Sequence, residues 1–87
     1  MMRVVLPTPL DSYTGGQREI EAAGESIAEL LNELDRRYPG LRFRVIDEQE
    51  RIRPHIRFFV NGTAATDIAQ PLSGSDEVLI VAALSGG

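Results

Sequence analysis

Apolar residues follow two different rhythms along this chain, and the places where the rhythm changes mark its elements. Arg3-Val4-Val5-Leu6-Pro7-Thr8 is a short β-branched run that predicts a strand. Asp11-Ser12-Tyr13-Thr14-Gly15-Gly16 is dense in turn residues, and Gln17-Arg18-Glu19-Ile20-Glu21-Ala22 then alternates polar with apolar. Together they predict a β-hairpin with a long loop. From Ser26 the spacing becomes helical. Ile27, Leu30, Leu31, Leu34 and Tyr38 form one apolar stripe. Ser26 stands three residues before Glu29, the pattern of a capping box that satisfies two orphan backbone donors. Arg36 and Arg37 suit the negative end of the helix dipole, and Pro39-Gly40 stops the helix.

The stretch from Leu41 to His55 is ambiguous. Leu41, Phe43, Val45 and Ile46 fit either a short strand or an irregular helical turn packed beneath a sheet, and Asp47-Glu48-Gln49-Glu50-Arg51 reads as a solvated charged loop. Ile56-Arg57-Phe58-Phe59-Val60 is a strand that runs into Asn61-Gly62, a strong signal for a tight hairpin turn, with Thr63 to Thr66 as the return. Pro71 to Asp76 is a turn leading into a last strand, Glu77 to Ala83. The order is strand, strand, helix, irregular connector, strand, short strand, strand. That order predicts an α+β fold of the β-grasp type, a small mixed sheet with one main helix packed on one face.

Composition narrows the setting. A chain of 87 residues makes one small domain, which buries about 60% of its unfolded surface. Its 43% hydrophobic and 25% charged residues are those of a globular protein. With no cysteine there is no disulfide, thiolate metal site or cysteine nucleophile. No apolar run reaches the ~20 residues that span a bilayer, and the start lacks a charged-then-apolar signal pattern. No membrane association and a cytoplasmic location are the expectations. The formal charge of −4 argues against nucleic acid as a partner. All nine basic residues are arginine.

Few side chains offer chemistry. Gly15-Gly16 lacks the strand–loop–helix setting and following Lys-Ser/Thr of a phosphate loop, so turn glycines are expected. Glu48 and Glu50 have no visible partner for acid–base work. His55 is the only histidine, and alone it builds no metal site. It reads as a surface or strand-entry residue. No nucleophile–base pair stands out, so an enzyme in its own right is the weakest reading.

The chain ends Leu84-Ser85-Gly86-Gly87, directly after the last strand. Two glycines there add nothing to a fold, yet without Cβ atoms they fit a narrow tunnel and leave the final carbonyl open to attack. Four extended residues reach at most ~13 Å. The division expected is a β-grasp domain over 1–83 and a flexible tail over 84–87, with the Gly87 carboxylate suited to activation as an acyl-adenylate.

Phe59-Val60-Asn61-Gly62, Gly74-Ser75-Asp76-Glu77-Val78 and Ala83-Leu84-Ser85-Gly86-Gly87 are similar to the MoaD/ThiS family of ubiquitin-like sulfur carriers. Thr14-Gly15-Gly16-Gln17 and Tyr38-Pro39-Gly40-Leu41 resemble its CysO-like subgroup, a carrier type of cysteine biosynthesis. The resemblance covers the whole chain and implies a carrier cycle. A ubiquitin-activating-type enzyme (MoeB/ThiF-like) binds the domain and ATP-Mg and joins AMP to Gly87. A sulfur donor, a rhodanese or cysteine desulfurase working through a persulfide, leaves a thiocarboxylate. An acceptor enzyme, cysteine synthase-like or the molybdopterin synthase large subunit, then takes the sulfur. Leu84, Ser85, Gly86 and Gly87 enter the partner's site, no cofactor is resident, and the domain is a substrate rather than a catalyst. Cysteine, molybdopterin, thiamin and thiolated tRNA are possible destinations for the sulfur.

Other readings stay open: the small subunit of molybdopterin synthase, a protein modifier attached through Gly87 to lysines, or an interaction module with an inert tail. Because the chain has no lysine, one copy can acylate another only at its N-terminus. For the partner surface, alternation separates Ile56, Phe58 and Val60 from Phe59, and Val78, Ile80 and Ala82 from Leu79, Val81 and Ala83. By analogy with ubiquitin-like tails, Val78 and Ile80 face the helix, and Phe59, Leu79 and Val81 form an exposed apolar partner face. The competing expectation is that the connector covers that face. Tyr13 and the hairpin arginines are a further candidate contact for an acceptor enzyme.

Overall fold

In the computed structural model, which describes residues 1–82, Met2–Val5 (β1) and Glu19–Ala22 (β2) pair antiparallel, Met2 opposite Ala22 and Val5 opposite Glu19. The predicted tail from Leu84 to Gly87, and Ala83 before it, lie outside the described residues. The first strand is shorter than its sequence suggests. Pro7 and Pro9 have no N–H for a ladder, so the chain leaves the sheet and turns through Thr8–Leu10 into a one-turn helix, Asp11–Thr14 (α1). Gly15 closes α1 at φ 68°, in the left-handed region that glycine adopts without strain. The expected open loop is therefore a helical link, and Leu10 anchors it in the core.

The main helix runs Ile27–Arg37 (α2). Ser26 Oγ accepts from the Glu29 N–H at 3.2 Å. The reciprocal half of the capping box is displaced by one residue, since the Glu29 carboxylate accepts from the Glu25 N–H rather than from that of Ser26. The next free amides of α2 are satisfied by the connector ahead of the last strand: Ile27 N–H donates to Gln70 O at 3.1 Å and Ala28 N–H to Ile68 O at 2.8 Å. Ile27, Leu30, Leu31 and Leu34 are wholly buried. Tyr38 caps the helix instead of belonging to it, half-buried.

The ambiguous middle segment begins as a helix, Leu41–Val45 (α3). Leu41 and Val45, four apart, are buried with Ile46, while Phe43 is 55% exposed. A strand would have buried Leu41, Phe43 and Val45 together. One oxygen of Asp35 accepts from the N–H groups of both Gly40 and Arg42 at 3.1 Å, so α3 is capped from the end of α2. The charged run that follows is solvated, as expected, and is closed into a turn. The Asp47 carboxylate accepts from Gln49 N–H at 2.9 Å and Arg51 N–H at 3.0 Å, and Ile46 bridges Ile52.

Ile56–Val60 (β3) and Thr63–Ala65 (β4) make the predicted hairpin, with Asn61 and Gly62 both at positive φ (52° and 85°). Glu77–Ala82 (β5) completes a sheet in the order β2-β1-β5-β3-β4. Only the β1–β5 pair is parallel. One face of this sheet, through Val4, Ile20, Phe58, Val60, Val78 and Ile80, buries the apolar stripe of α2 and the inner side of α3.

Candidate interaction face

Strand register fixes what the other face of the sheet presents. Glu19 lies opposite Val5, Val5 opposite Leu79, Leu79 opposite Phe59, and Phe59 opposite Ala64. These positions cross all five strands in one row, apolar at its centre. Toward the start of β5 the row is bordered by Arg3, which pairs with Glu19 at 2.7 Å and Glu77 at 3.4 Å. Toward the end of β5 it is bordered by Arg57 opposite Val81. Val78 and Ile80 are buried against the helix, at 0% and 1% exposure. Leu79 is 36% exposed, and Phe59 and Val81 are partly exposed. Of the connecting segments, α3 packs on α2, and Ile68 and Leu72 turn inward to the core.

Beside this row the last strand outruns its parallel neighbour. The final β1 pair is Val5 with Leu79, and beyond it Ile80–Ala82 run alongside Leu6-Pro7-Thr8-Pro9. The two segments line an open hollow of about 560 Å³. Sequence reasoning missed this hollow and the place of Val5 in the row, because both depend on the β1–β5 crossover, and it left Ala64 unassigned although the local Asn61-Gly62 hairpin sets it opposite Phe59. Pro7 and Pro9 were the available signal.

The turn that begins β5 is firmly tied. Asp76 accepts from the backbone N–H and hydroxyl of Ser73 at 2.9 and 3.1 Å and from the Asn61 amide at 2.9 Å. Asn61 in return accepts from the Glu77 N–H at 2.9 Å. The Ser73 backbone bond first, then the Asn61 side chain, hold the Asp76 carboxyl below the usual carboxylate range.

The remaining candidates fall elsewhere. Tyr13 is half-buried, its ring so near Gly40 that a Cβ there would lie 3.2 Å from it. Tyr38 Oη donates to Gln17 Oε1 at 3.2 Å, and Arg18 pairs with Asp11 at 3.0 Å. The Thr14–Gln17 and Tyr38–Leu41 motifs thus latch against each other, and Tyr13 serves that packing. Glu50 pairs with Arg42 at 2.7 Å, and His55 is exposed at the entry to β3. Among the described residues no three His, Cys, Asp or Glu side chains converge on a metal position, and no helix is long and apolar enough to cross a membrane.

A five-stranded mixed sheet, one helix across its inner face and an apolar outer row beside the last strand define a ubiquitin-like β-grasp domain. The chain belongs to the ThiS family, whose model matches residues 4–87, through the terminal diglycine. The sulfur carrier protein CysO of Mycobacterium tuberculosis is 28% identical, over 97% of this chain and 96% of that protein. The crystal structure of Mycobacterium tuberculosis CysO superposes with a TM-score of 0.89 at 25% identity, covering 97% of this chain and 100% of that one. A chain of the Amycolatopsis orientalis BexX/CysO complex gives a TM-score of 0.91 at 27% identity over the whole of both chains. Small archaeal modifier protein 1 of Methanosarcina acetivorans gives 0.78 at 26% identity, over 99% and 95%. The family and subgroup resemblance read from the sequence therefore holds.

Proposed function

We propose that this chain is a sulfur carrier protein loaded at the carboxylate of Gly87. The observation that carries this reading is a family match through Gly87, in a chain that over nearly its whole length is similar to a sulfur carrier. In the cycle, a ubiquitin-activating-type partner uses ATP-Mg to join AMP to the carboxylate and releases pyrophosphate. A persulfide sulfur then attacks the acyl carbon and AMP leaves. A thiol cleaves the resulting acyl disulfide and frees the thiocarboxylate. An acceptor enzyme consumes that sulfur and returns the carboxylate. AMP and sulfur are transient covalent states of the carrier, which acts as substrate throughout, as expected of a carrier rather than an enzyme.

The outer row of Val5, Leu79, Phe59 and Ala64, with Val81 beyond it, is the surface assigned to the adenylating partner. It adjoins the strand that leads into the tail, and exposed apolar rows of this kind mark docking sites. Leu84, Ser85 and Gly86 then carry Gly87 into the partner's active site. Cysteine biosynthesis is the favoured destination, supported by the likeness to CysO. The small subunit of molybdopterin synthase is the alternative, and stable co-purification with a large catalytic subunit would favour it.

Alkylation of freshly isolated native protein, read by intact mass and fragmentation, tests the proposal. A thiocarboxylate is a strong nucleophile, and the chain has no cysteine to compete for the reagent. Label on Gly87 is the expected result. No label after incubation with the cognate activating enzyme, ATP and a sulfur source overturns it. The likeness to an archaeal modifier supports a second reading, conjugation through Gly87, which predicts high-mass adducts in lysate.

A further inference from the structure

Positive charge on this acidic chain is unevenly neutralised. Arg3, Arg18, Arg36, Arg37 and Arg42 make the ion pairs found among the described residues. Arg44, Arg51, Arg53 and Arg57 make none there, and all four come from one short stretch. Arg51 shares its surroundings with Glu50 and Asp67. The other three are contiguous. Arg44 and Arg53 line a surface hollow of about 190 Å³ with Phe43 and His55, and Arg53 and Arg57 line the adjoining one.

Two of these side chains are aimed without being neutralised. Arg53 Nε donates to the Phe43 carbonyl at 2.8 Å, and its guanidinium lies 4.6 Å from the centre of the Phe43 ring. Arg57 donates to the carbonyls of Pro54 and Ile56 at 2.7 and 3.0 Å. Carbonyls fix direction yet leave the full charge available. Asp47, whose carboxylate accepts two backbone N–H bonds in its own turn, attracts Arg51 and Arg53 at longer range without forming an ion pair with either. Phe43 adds an exposed ring beside the Arg53 guanidinium, apolar surface that a partner could cover together with the charge.

The cluster stands where the chain leaves the sheet. Arg57 lies opposite Val81, and Ile56 opposite Ala82, the last described residue before the tail. We infer that Phe43, Arg44, Arg53 and Arg57 form a cationic docking patch for a carboxylate-rich protein surface at the mouth of the site that receives this chain's C-terminus. The inference rests on the carrier reading above. Charge complementarity carries it. A chain of net charge −4 is repelled overall by an acidic protein, and the arginines without ion pairs make this flank a place of attraction. Arg57 stands opposite Val81, one residue from the end of the described strand, so a partner that receives the C-terminus passes this flank. The outer apolar row would supply contact area, and the arginines orientation and association rate.

The test uses the full chain, ATP–pyrophosphate exchange and the ThiF-like adenylating enzyme of the same genome. Arg44→Glu and the double variant Arg44→Glu/Arg53→Glu are compared with Arg18→Glu/Arg36→Glu, which makes the same charge change away from the cluster. Arg44 bonds nothing among the described side chains, so its single variant should fold normally, which a thermal melt checks. The patch variants should raise KM for the carrier about tenfold or more, leave kcat within about twofold, and flatten the fall of kcat/KM with added salt. The distal pair should do none of this, and Arg44→Lys/Arg53→Lys should restore most of the loss. Exchange with the wild-type chain that patch variants support at unchanged KM overturns the patch alone. Absence of exchange with the wild type overturns the carrier reading and the patch together. Loss of binding to total tRNA in patch variants with normal KM assigns the patch to a polyanion and refutes the protein partner.

Discussion

Leu79 and Ile80 are neighbours on one strand, and their substitution should separate docking from stability. Ile80 is 1% exposed in the core, so Ile80→Ala removes three buried carbons and leaves a cavity. At about 0.8 kcal/mol per carbon plus the cavity term, the expected loss is about 3 kcal/mol. For a domain of this size that lowers Tm by roughly 12–24 °C. Leu79→Gln has nearly the same length and keeps its stem over Phe59 and Val5, so its stability cost should stay below about 1 kcal/mol. On the docking side the order reverses. A glutamine amide pressed into an apolar interface without partners costs about 1–3 kcal/mol, or roughly 5- to 150-fold in kcat/KM for adenylation. Thermal melts followed by circular dichroism, and pyrophosphate exchange with the carrier as the varied substrate, read both quantities. Wild-type kcat/KM for Leu79→Gln would refute the docking role of this face. A melt for Ile80→Ala within a few degrees of wild type would refute the inside–outside alternation itself.

Phe59→Glu should lower kcat/KM in the same assay while the fold persists, since Phe59 sits in the same outer row. Gly24→Ala should destabilise by about 1–3 kcal/mol in urea titration, because its Cβ would lie 2.6 Å from the Leu30 backbone nitrogen. Gly74→Ala, with nothing within 4 Å, should be neutral or slightly stabilising in the same titration. Asp35→Ala removes the shared acceptor for Gly40 and Arg42 and should lower the urea midpoint by the equivalent of about 1 kcal/mol. Asp76 and Asp47 both have carboxyls depressed by backbone hydrogen bonds. Their contribution is complete above the unfolded aspartate pKa of about 3.9 and is lost as pH falls through the lower folded values. Asp76→Asn should therefore flatten the acid limb of a plot of urea midpoint against pH, and an unchanged limb would exclude Asp76 from it.

Local signals in the sequence were reliable wherever a single element carried them. The Ser26 cap on Glu29, the Ile27–Leu34 stripe and the Asn61-Gly62 turn need only neighbouring residues, and each is present, the return bond of the capping box alone shifting to Glu25. The alternation on β5 also sufficed to divide Val78 and Ile80 from Leu79, because a strand has only two sides. The failures came from partners distant in sequence. Nothing local says that Asp35 caps α3, which settles Leu41–Val45 as a helix, or that Arg53 aligns itself on Phe43. The row from Glu19 to Ala64 is assembled from five strands and a parallel crossover, so no window of sequence contains it. The two motifs that resemble the CysO-like group are legible as motifs, yet their mutual contact through Tyr13, Gly40, Gln17 and Tyr38 emerges only on folding.

The point at which β1 stops decides how the described end of β5 is held. Had β1 continued past Val5, its amides would have paired β5 to the end and left Ala82 held on both sides. Pro7 and Pro9 prevent that, since neither offers a donor and both force the chain away into α1. Ile80–Ala82 are consequently flanked by β3 on one side and by the open hollow on the other. The strand is anchored where it must be, at Asp76, Asn61 and the β1 ladder, and its pairing thins toward the exit. On the proposed carrier reading that gradient is useful, because less sheet need be disturbed when a partner takes hold of the strand. The same gap exposes apolar surface beside the outer row, so the feature that frees the end of the strand also widens the ground on which a partner can settle.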